Sequence, residues 1–274
     1  MSDRPGPYGH VCRAYDDPAG FAAGAEEFLR AGLAAGERVW YVVAGPAEPV
    51  RERLRGVDLF AQALLSGAAE VRALDAAYTT GTVIDPAGQV AVYRAATRRA
   101  LAAGYSGLRV AASCTDLVRT APQRDAFARY EQRINRMMRS EAFRAMCGYH
   151  RPALGDQAVA ELACLHPGHN VAGLRFGLYA TAADAGHATL VGELDPANHE
   201  LFRIALDRTE LQPVDGELVL DASDLRFLDH RTLIHLSEHA QQRDARLVLR
   251  GCRAGTARLA ALLDLPALNV EVTR

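Results

Sequence analysis

The segment "HVCRAYDDPAGFAAGAEEFLRAGLAAGERVWYVV", residues 10–43, decides the fold class of the first half of the chain. Two short apolar runs flank a helix-length stretch. Asp17 suits the N-cap of that helix, Pro18 suits its first turn, and Gly36 suits the position just beyond its end. A strand, a helix and a second strand in this order predict a parallel α/β sheet.

The same alternation continues along the chain. Further strands are predicted at "EVRAL", "LRVAAS" and "FRAMCGY", and further helices over residues 46–55, 86–103, 122–139 and 155–165. After "HPGHNV" a second α/β pattern begins, with strands at "LRFGLYA", "TLVGEL", "GELVLDAS", "RLVLRGC" and "NVEV". We therefore predict two domains, over residues 1–172 and 173–274, which suits a chain of 274 residues.

Composition narrows the class of protein. Hydrophobic residues make up 49% and charged residues 23% of the chain, as in a globular protein. A net charge of −2 does not indicate a basic surface for nucleic acid. We interpret the arginine-rich stretch 124–139 as a solvated helix face. No run is long and apolar enough for a membrane span, and no signal peptide is recognisable, so we expect a cytoplasmic protein with reduced thiols.

Four motifs carry a resemblance in the second half. "GELD" at Gly192–Asp195, "LVLDAS", "LRFLD" and "LVLRG" follow one another in the order and spacing of a STAS domain, the fold of anti-sigma-factor antagonists. The resemblance implies a STAS-like α/β domain with a hairpin at Gly192–Asp195. It also implies a loop after "LRFL" that binds an anti-sigma factor or a related kinase-fold regulator.

In STAS domains that loop usually carries two serines, and the second accepts phosphate from the partner kinase. Here the predicted partner-binding residues are Asp229, His230, Arg231 and Thr232. His230 and Arg231 stand in place of the serines, and Arg231 cannot be phosphorylated. Two alternatives stay open: Thr232 is a displaced phosphoacceptor, or the domain binds its partner without this switch. Asp229 is also expected to cap the helix that follows.

The first half resembles MEDS domains, sensory modules first noted in methanogen and methylotroph regulators. The resemblance covers about residues 9–171 and includes the opening His10, Tyr15 after an apolar strand, and "GLAAGERVWYV". The motifs "GLRVAAS", "YEQRIN", "CGYH" and "LHP" follow in order. A MEDS-like domain implies that this half of the chain senses a small ligand.

The segment "FLRAGLAAGERVWYVV" is also similar to RecA- or KaiC-type ATPase chains, which need a glycine-rich phosphate loop with a lysine. The corresponding turn, "YDDPAG", has no lysine, and Asp16 and Asp17 would repel phosphate. We expect a RecA/KaiC-like parallel-sheet domain without a phosphate loop, and no cofactor.

Ligands of parallel sheets bind beyond the carboxyl ends of the strands. Tyr15, Ser113, Cys114, Tyr149 and His150 all fall near such ends. For a small organic ligand, the predicted binding residues are His10, Tyr15, Ser113, Cys147, Tyr149 and His166.

A competing hypothesis uses the same half of the chain as a metal site or an enzyme. Zinc needs about four converging donors. The available donors are His10, Cys12, Cys147, His150, Cys164, His166 and His169. Cys147 could instead act as a nucleophile with His150 or His166. No catalytic motif such as GxSxG or HExxH is present, so we expect neither a metal nor a catalytic residue and keep this hypothesis as the alternative.

The sequence therefore predicts a non-enzymatic bacterial signalling protein. A ligand in the first domain would change the exposure of the loop 229–232 in the second, and no membrane or nucleic acid would take part. A homodimer, and a constitutive scaffold whose pocket is filled by side chains, both remain open.

Overall fold

A computed structural model of the chain describes residues 9–78, 83–181 and 186–272. The first part forms a six-stranded sheet in the order β3-β2-β4-β5-β1-β6, and every neighbouring pair is parallel. Its strands are β1 (His10–Tyr15), β2 (Arg38–Val43), β3 (Ala69–Ala73), β4 (Leu108–Ser113), β5 (Phe143–His150) and β6 (Gly168–His169). The predicted parallel sheet is thus confirmed.

Helices cover both faces of this sheet. They are α1 (Pro18–Ala34), α2 (Glu48–Arg55), α3 (Asp58–Ser66), α4 (Leu74–Ala77), α5 (Pro86–Ala102), α6 (Ala121–Met137), α7 (Arg151–Leu154) and α8 (Asp156–Ala163), with a 3-10 turn at Thr115–Leu117. As predicted, Asp17 caps α1 and accepts a hydrogen bond from the Gly20 amide at 2.8 Å. The sequence did not predict α3, which follows α2 after a two-residue break.

The second part forms another six-stranded sheet. Its elements are β7 (Phe176–Ala180), β8 (His187–Leu194), α9 (His199–Arg208), β9 (Glu217–Asp221), β10 (Leu225–Leu228), α10 (His230–Gln241), β11 (Arg246–Cys252), α11 (Ala254–Leu263) and β12 (Leu268–Val272). Five strands run parallel in the order β10-β8-β9-β11-β12, and β7 pairs antiparallel with β8. β6 ends at His169 and β7 begins at Phe176, and we propose the domain boundary between residues 172 and 173, in the segment that joins them.

The "GELD" motif lies in a strand, which corrects the predicted hairpin at Gly192–Asp195. β8 continues to Leu194, and the hairpin of this sheet is formed by β7 and β8. Gly192 has a φ of 92°, and a Cβ atom there would lie 2.0 Å from the Arg175 carbonyl oxygen. The motif needs its glycine because two backbones approach each other closely at this irregular point of the strand.

Helix α6 joins the two sheets. The buried Gln132 side chain donates to the Leu178 carbonyl at 2.9 Å and accepts from the Ala180 amide at 2.7 Å. The Leu178 amide donates to the Cys164 carbonyl at 2.7 Å. The outer edge of β7 is therefore hydrogen-bonded by the first domain rather than left open.

Ionic contacts border this junction. Arg208 of α9 donates to Asp125 of α6 at 2.6 Å and to Glu161 of α8 at 3.0 Å. Arg133 pairs with Glu210 at 2.9 Å, and Arg136 donates to the Thr209 carbonyl at 2.7 Å. The stretch 124–139 is therefore more than the solvated face that we predicted, because Arg129, Arg133 and Arg136 all contact the second domain.

Within the described residues, no helix is both long and apolar enough to cross a membrane.

Replacing Gln132 by alanine should destabilise the chain by about 2 to 4 kcal/mol. The change leaves the Leu178 carbonyl and the Ala180 amide buried without partners, and each such group costs about 1–3 kcal/mol. Urea unfolding followed by circular dichroism measures the loss. Arg129→Ala is the matched control on the same helix, since its exposed pair with Glu210 contributes below about 1 kcal/mol. Equal losses in the two variants would contradict this account of the β7 edge.

Candidate functional site

The first sheet divides the predicted ligand-binding residues between its two faces. Side chains alternate along a strand, so Tyr15 packs on the α1 side whereas His10 and Cys12, on the same strand, face the opposite side. The strand pairing places Cys12 beside Cys147 and Tyr15 beside His150. The six predicted residues therefore form two groups rather than one pocket.

The first group lies at the carboxyl edge of the sheet. The Tyr15 hydroxyl is 3.2 Å from the Ser113 hydroxyl and 3.4 Å from the Thr115 hydroxyl. Thr115 also accepts a hydrogen bond from the His150 amide at 2.9 Å, and the His150 ring stacks on Tyr15 with centroids 5.2 Å apart. Tyr15 and His150 are partly exposed, so this edge is open to small molecules.

The turn at this edge does not suit a phosphate. The N-terminus of α1, where a phosphate loop would bind its anion, holds the Asp17 carboxylate instead. The ring of His150 hydrogen-bonds the Asp16 carbonyl at 3.1 Å. A neutral or cationic molecule is therefore favoured here over an anion.

The second group is a buried cluster on the opposite face, formed by His10, Glu131, Cys147 and His166. One donor atom from each residue lies within 4.8 Å of the others. Nε2 of His10 is 3.2 Å from Oε2 of Glu131 and 3.6 Å from Sγ of Cys147. Nε2 of His166 is 3.5 Å from Oε1 of Glu131. This group converges although it does not lie at the carboxyl ends of the strands.

Three neighbours orient the cluster. Nδ1 of His10 is hydrogen-bonded to Oδ1 of Asn135 at 2.8 Å, and Nδ1 of His166 to the Leu162 carbonyl at 2.9 Å. The Tyr149 hydroxyl donates to Oε1 of Glu131 at 2.7 Å. With these bonds made, both Nε2 atoms and Oε2 of Glu131 point inwards.

The buried charges of the cluster set one another's protonation. Burial lowers the pKa of His10, but the charge of Glu131 and the hydrogen bond with Cys147 outweigh that effect and raise it to about 10. Burial raises the pKa of Glu131, but His166 and His10 hold it well below its usual value. Burial and the charge of His10 lower the pKa of His166. A protonated His10 therefore balances the Glu131 carboxylate beside a neutral His166.

The remaining metal-ligand candidates lie elsewhere. His150 is on the other face of the sheet, and Cys164 belongs to the core of the second domain. His169 accepts a hydrogen bond from the Val171 amide in the β6 segment. Cys12 lies beside Cys147 without joining the four donors.

The loop 229–232 begins helix α10. Asp229 caps the helix and accepts from the Thr232 amide at 2.8 Å and from the Thr232 hydroxyl at 2.7 Å. Both residues are buried, whereas His230, Arg231 and the nearby Phe227 are exposed. The hydrogen-bonded pair Asp229 and Thr232 thus fixes the shape of the loop, while His230 and Arg231 face solvent.

Two family models match the chain, one for each of the two domains. A family model described as "MEDS: MEthanogen/methylotroph, DcmR Sensory domain" matches residues 9–167, more than half of the chain. The chain belongs to the MEDS family. A second model, described as "Mlab, STAS domain", matches residues 178–270, so the predicted MEDS–STAS fusion is confirmed. No curated protein and no solved structure gave a match. A sensory domain joined to a STAS domain indicates a signalling or regulatory protein.

Sequence reasoning missed one member of the buried cluster of the MEDS domain. Glu131 is the acidic residue of the motif "YEQRIN", which helped to identify the family but was not proposed as part of a site. The available signal was a single glutamate between Tyr130 and Gln132 in an arginine-rich helix. Thr115, which joins the edge group, was also missed.

The surroundings of three cysteines in the MEDS domain disfavour their nucleophilic thiolate form. A hydrogen bond with Cys114 and burial raise the pKa of the Cys147 thiol well above its usual value. Burial raises the pKa of Cys12 as well, and that of Cys164 to about 12. A catalytic cysteine needs a lowered pKa and access for its substrate, so the arrangement disfavours the Cys–His enzyme hypothesis.

We expect Ellman's reagent to react very slowly with the native chain at mildly alkaline pH, because all five thiols are buried. After denaturation in guanidinium, five thiols should react rapidly. Absorbance of the released thiolate measures both rates. A fast-reacting thiol in the native chain that disappears in Cys147→Ala would contradict this and restore the nucleophile hypothesis.

Proposed function

We propose that the chain is a ligand-controlled regulator: its MEDS domain binds a small organic molecule, and its STAS domain binds an anti-sigma factor or a related kinase-fold regulator. The observation that carries the proposal is the junction at α6, which fixes a domain of a sensory family directly on a domain of a protein-binding family. Neither domain family is named for a catalytic activity.

The docking site is proposed at the start of α10. Exposed His230 and Arg231 would contact the partner, and buried Asp229 and Thr232 would hold the turn that presents them. Burial of Thr232 argues against its being a displaced phosphoacceptor, because its hydroxyl is inaccessible and already donates to Asp229. In the proposed function, regulation comes from the MEDS domain rather than from phosphorylation of this loop.

The ligand is proposed to bind at the carboxyl edge of the MEDS sheet. The partly exposed rings of Tyr15 and His150 supply aromatic contacts, and the hydroxyls of Tyr15 and Ser113 supply hydrogen bonds. The other residues first assigned to the ligand, His10, Cys147, Tyr149 and His166, are buried against Glu131 and do not reach this edge. We therefore restrict the ligand proposal to the edge group with Thr115 and His150.

A chain of contacts supports communication between the two sites. Asp125 of α6 binds Arg208 of α9. Helix α9 contacts α10, where the His199 ring lies 5.8 Å from the His235 ring and Asp207 lies 3.8 Å from His239. A ligand can act through these contacts only if it binds two arrangements of them with different affinity.

The docking site can be tested with Arg231→Glu. Reversing this exposed charge should weaken binding to the cognate partner at least about tenfold, since mispaired charges at an interface cost several kcal/mol. The measurement is biolayer interferometry against purified anti-sigma-factor kinases encoded in the same genome. Arg246→Glu, at an exposed arginine on the opposite end of the second sheet, is the control. Unchanged binding in Arg231→Glu, or equal loss in both variants, would place the interface elsewhere.

The ligand site can be tested by a thermal-shift screen of small neutral and cationic organic molecules. A ligand at about 100 times its Kd stabilises its protein by about 2.7 kcal/mol, and we expect Tyr15→Phe and Ser113→Ala to reduce that shift. Tyr105→Phe, at the opposite edge of the same sheet, should keep it. A hit whose shift survives Tyr15→Phe and Ser113→Ala would bind at another site.

A further inference from the structure

We propose that His10, Glu131, Cys147 and His166 form a four-coordinate site for a transition-metal ion, with Zn²⁺ as the expected occupant. The four donor atoms, two imidazole nitrogens, one carboxylate oxygen and one thiolate sulfur, lie within 4.8 Å of one another. Imidazole and thiolate donors suit zinc and related ions and exclude Mg²⁺ and Ca²⁺, which take oxygen donors. The site is independent of the ligand and partner proposed above.

The spacing of the donors fits a tetrahedral ion. An ion with bonds of about 2.0 to 2.3 Å places its ligands roughly 3.3 to 3.8 Å apart. Here Nε2 of His10 lies 3.2 Å from Glu131 Oε2 and 3.6 Å from Cys147 Sγ. Nε2 of His166 lies 3.5 Å from Glu131 Oε1. Small shifts of these side chains would complete the coordination.

Unsatisfied atoms point into the cluster. Oε2 of Glu131 and Nε2 of His166 are both fully buried, and neither has a hydrogen-bond partner among the described residues. Glu131 Oε2 is close to His10, but the two atoms do not meet in hydrogen-bond geometry. Leaving such groups unpaired in a buried cluster is unfavourable. A bound cation would satisfy both at once.

The residues that hold the four donors in place are of the types found around bound metal ions. Metal-binding histidines commonly bond their other ring nitrogen to a carbonyl or carboxylate, which fixes the tautomer and orients the ring. Nδ1 of His10 is held by the Asn135 amide oxygen and Nδ1 of His166 by the Leu162 carbonyl. Tyr149 likewise donates to the carboxylate of Glu131. These hydrogen bonds direct Nε2 of both histidines and Oε2 of Glu131 towards the centre of the cluster.

A cleft borders the cluster on one side. His166 lines a cleft of about 650 Å³ between the two domains, together with His169, Phe176 and Tyr179. His166 is the ligand nearest this opening, whereas the other three lie deeper on β1, β5 and α6. On binding, the ion would displace the protons of the Cys147 thiol and of His10 to solvent, with no change of oxidation state.

The test uses the full chain expressed with added zinc, dialysed, and analysed by inductively coupled plasma mass spectrometry. We expect about one zinc per chain. The Cys147→Ala and His166→Ala variants should lose the ion. The Asn135→Ala variant should bind zinc with an affinity about 10- to 100-fold lower. Cys12→Ala is the matched control, because it removes a buried thiol from the neighbouring strand that is not one of the four donors.

Cobalt gives a readout that does not depend on how well a variant folds. Wild-type chain stripped of metal and loaded with Co²⁺ should show the intense visible bands of a tetrahedral ion and a thiolate-to-cobalt charge-transfer band in the near ultraviolet. Zinc content far below one equivalent in the wild type, equal content in Cys147→Ala and Cys12→Ala, or cobalt binding without the charge-transfer band would each overturn the proposal.

Discussion

The position of helix α6 between two sheets is the constraint on which both domains depend. Glu131 and Asn135, one turn apart, face the buried cluster of the MEDS domain. Gln132 and Arg136, also one turn apart, face the STAS domain. Residues four apart share a helix face, so the two pairs occupy adjacent stripes of one rigid element. A rotation or shift of α6 must therefore change the contacts of both domains.

Polar groups at the junction pair with groups of the other domain, whereas in a separate domain they would pair with water. A free β7 edge would bond to water, whereas here its amides and carbonyls are paired with Gln132 and Cys164 of the neighbouring domain. Arg208 is likewise buried between Asp125 and Glu161. Breaking such contacts leaves buried groups unpaired, which costs more than the intact contacts contribute. The two domains should consequently rearrange together, which is the condition for coupling between sites.

Much of the fold was predictable because its signals are local. The apolar runs of β1 to β5, the Asp17 cap and Pro18 are each read from a few adjacent residues. The site was less predictable because it depends on which face of the sheet a side chain occupies. Tyr15 and Cys147 both belong to strands next to each other, yet alternation sends them to opposite faces. Glu131 was missed for a related reason, since its inward direction depends on the docking of α6 rather than on its neighbours in sequence.

Hydrogen–deuterium exchange shows whether α6 transmits changes from the MEDS domain to the loop 229–232. The suitable perturbation is Asn135→Ala, because the hydrogen bonds of Asn135 to His10 and to the Leu165 carbonyl both lie within the MEDS domain. The account predicts faster exchange in β7, in α9 and in the first turn of α10, as well as in the MEDS core. Exchange that changes only within residues 9–169 would contradict it.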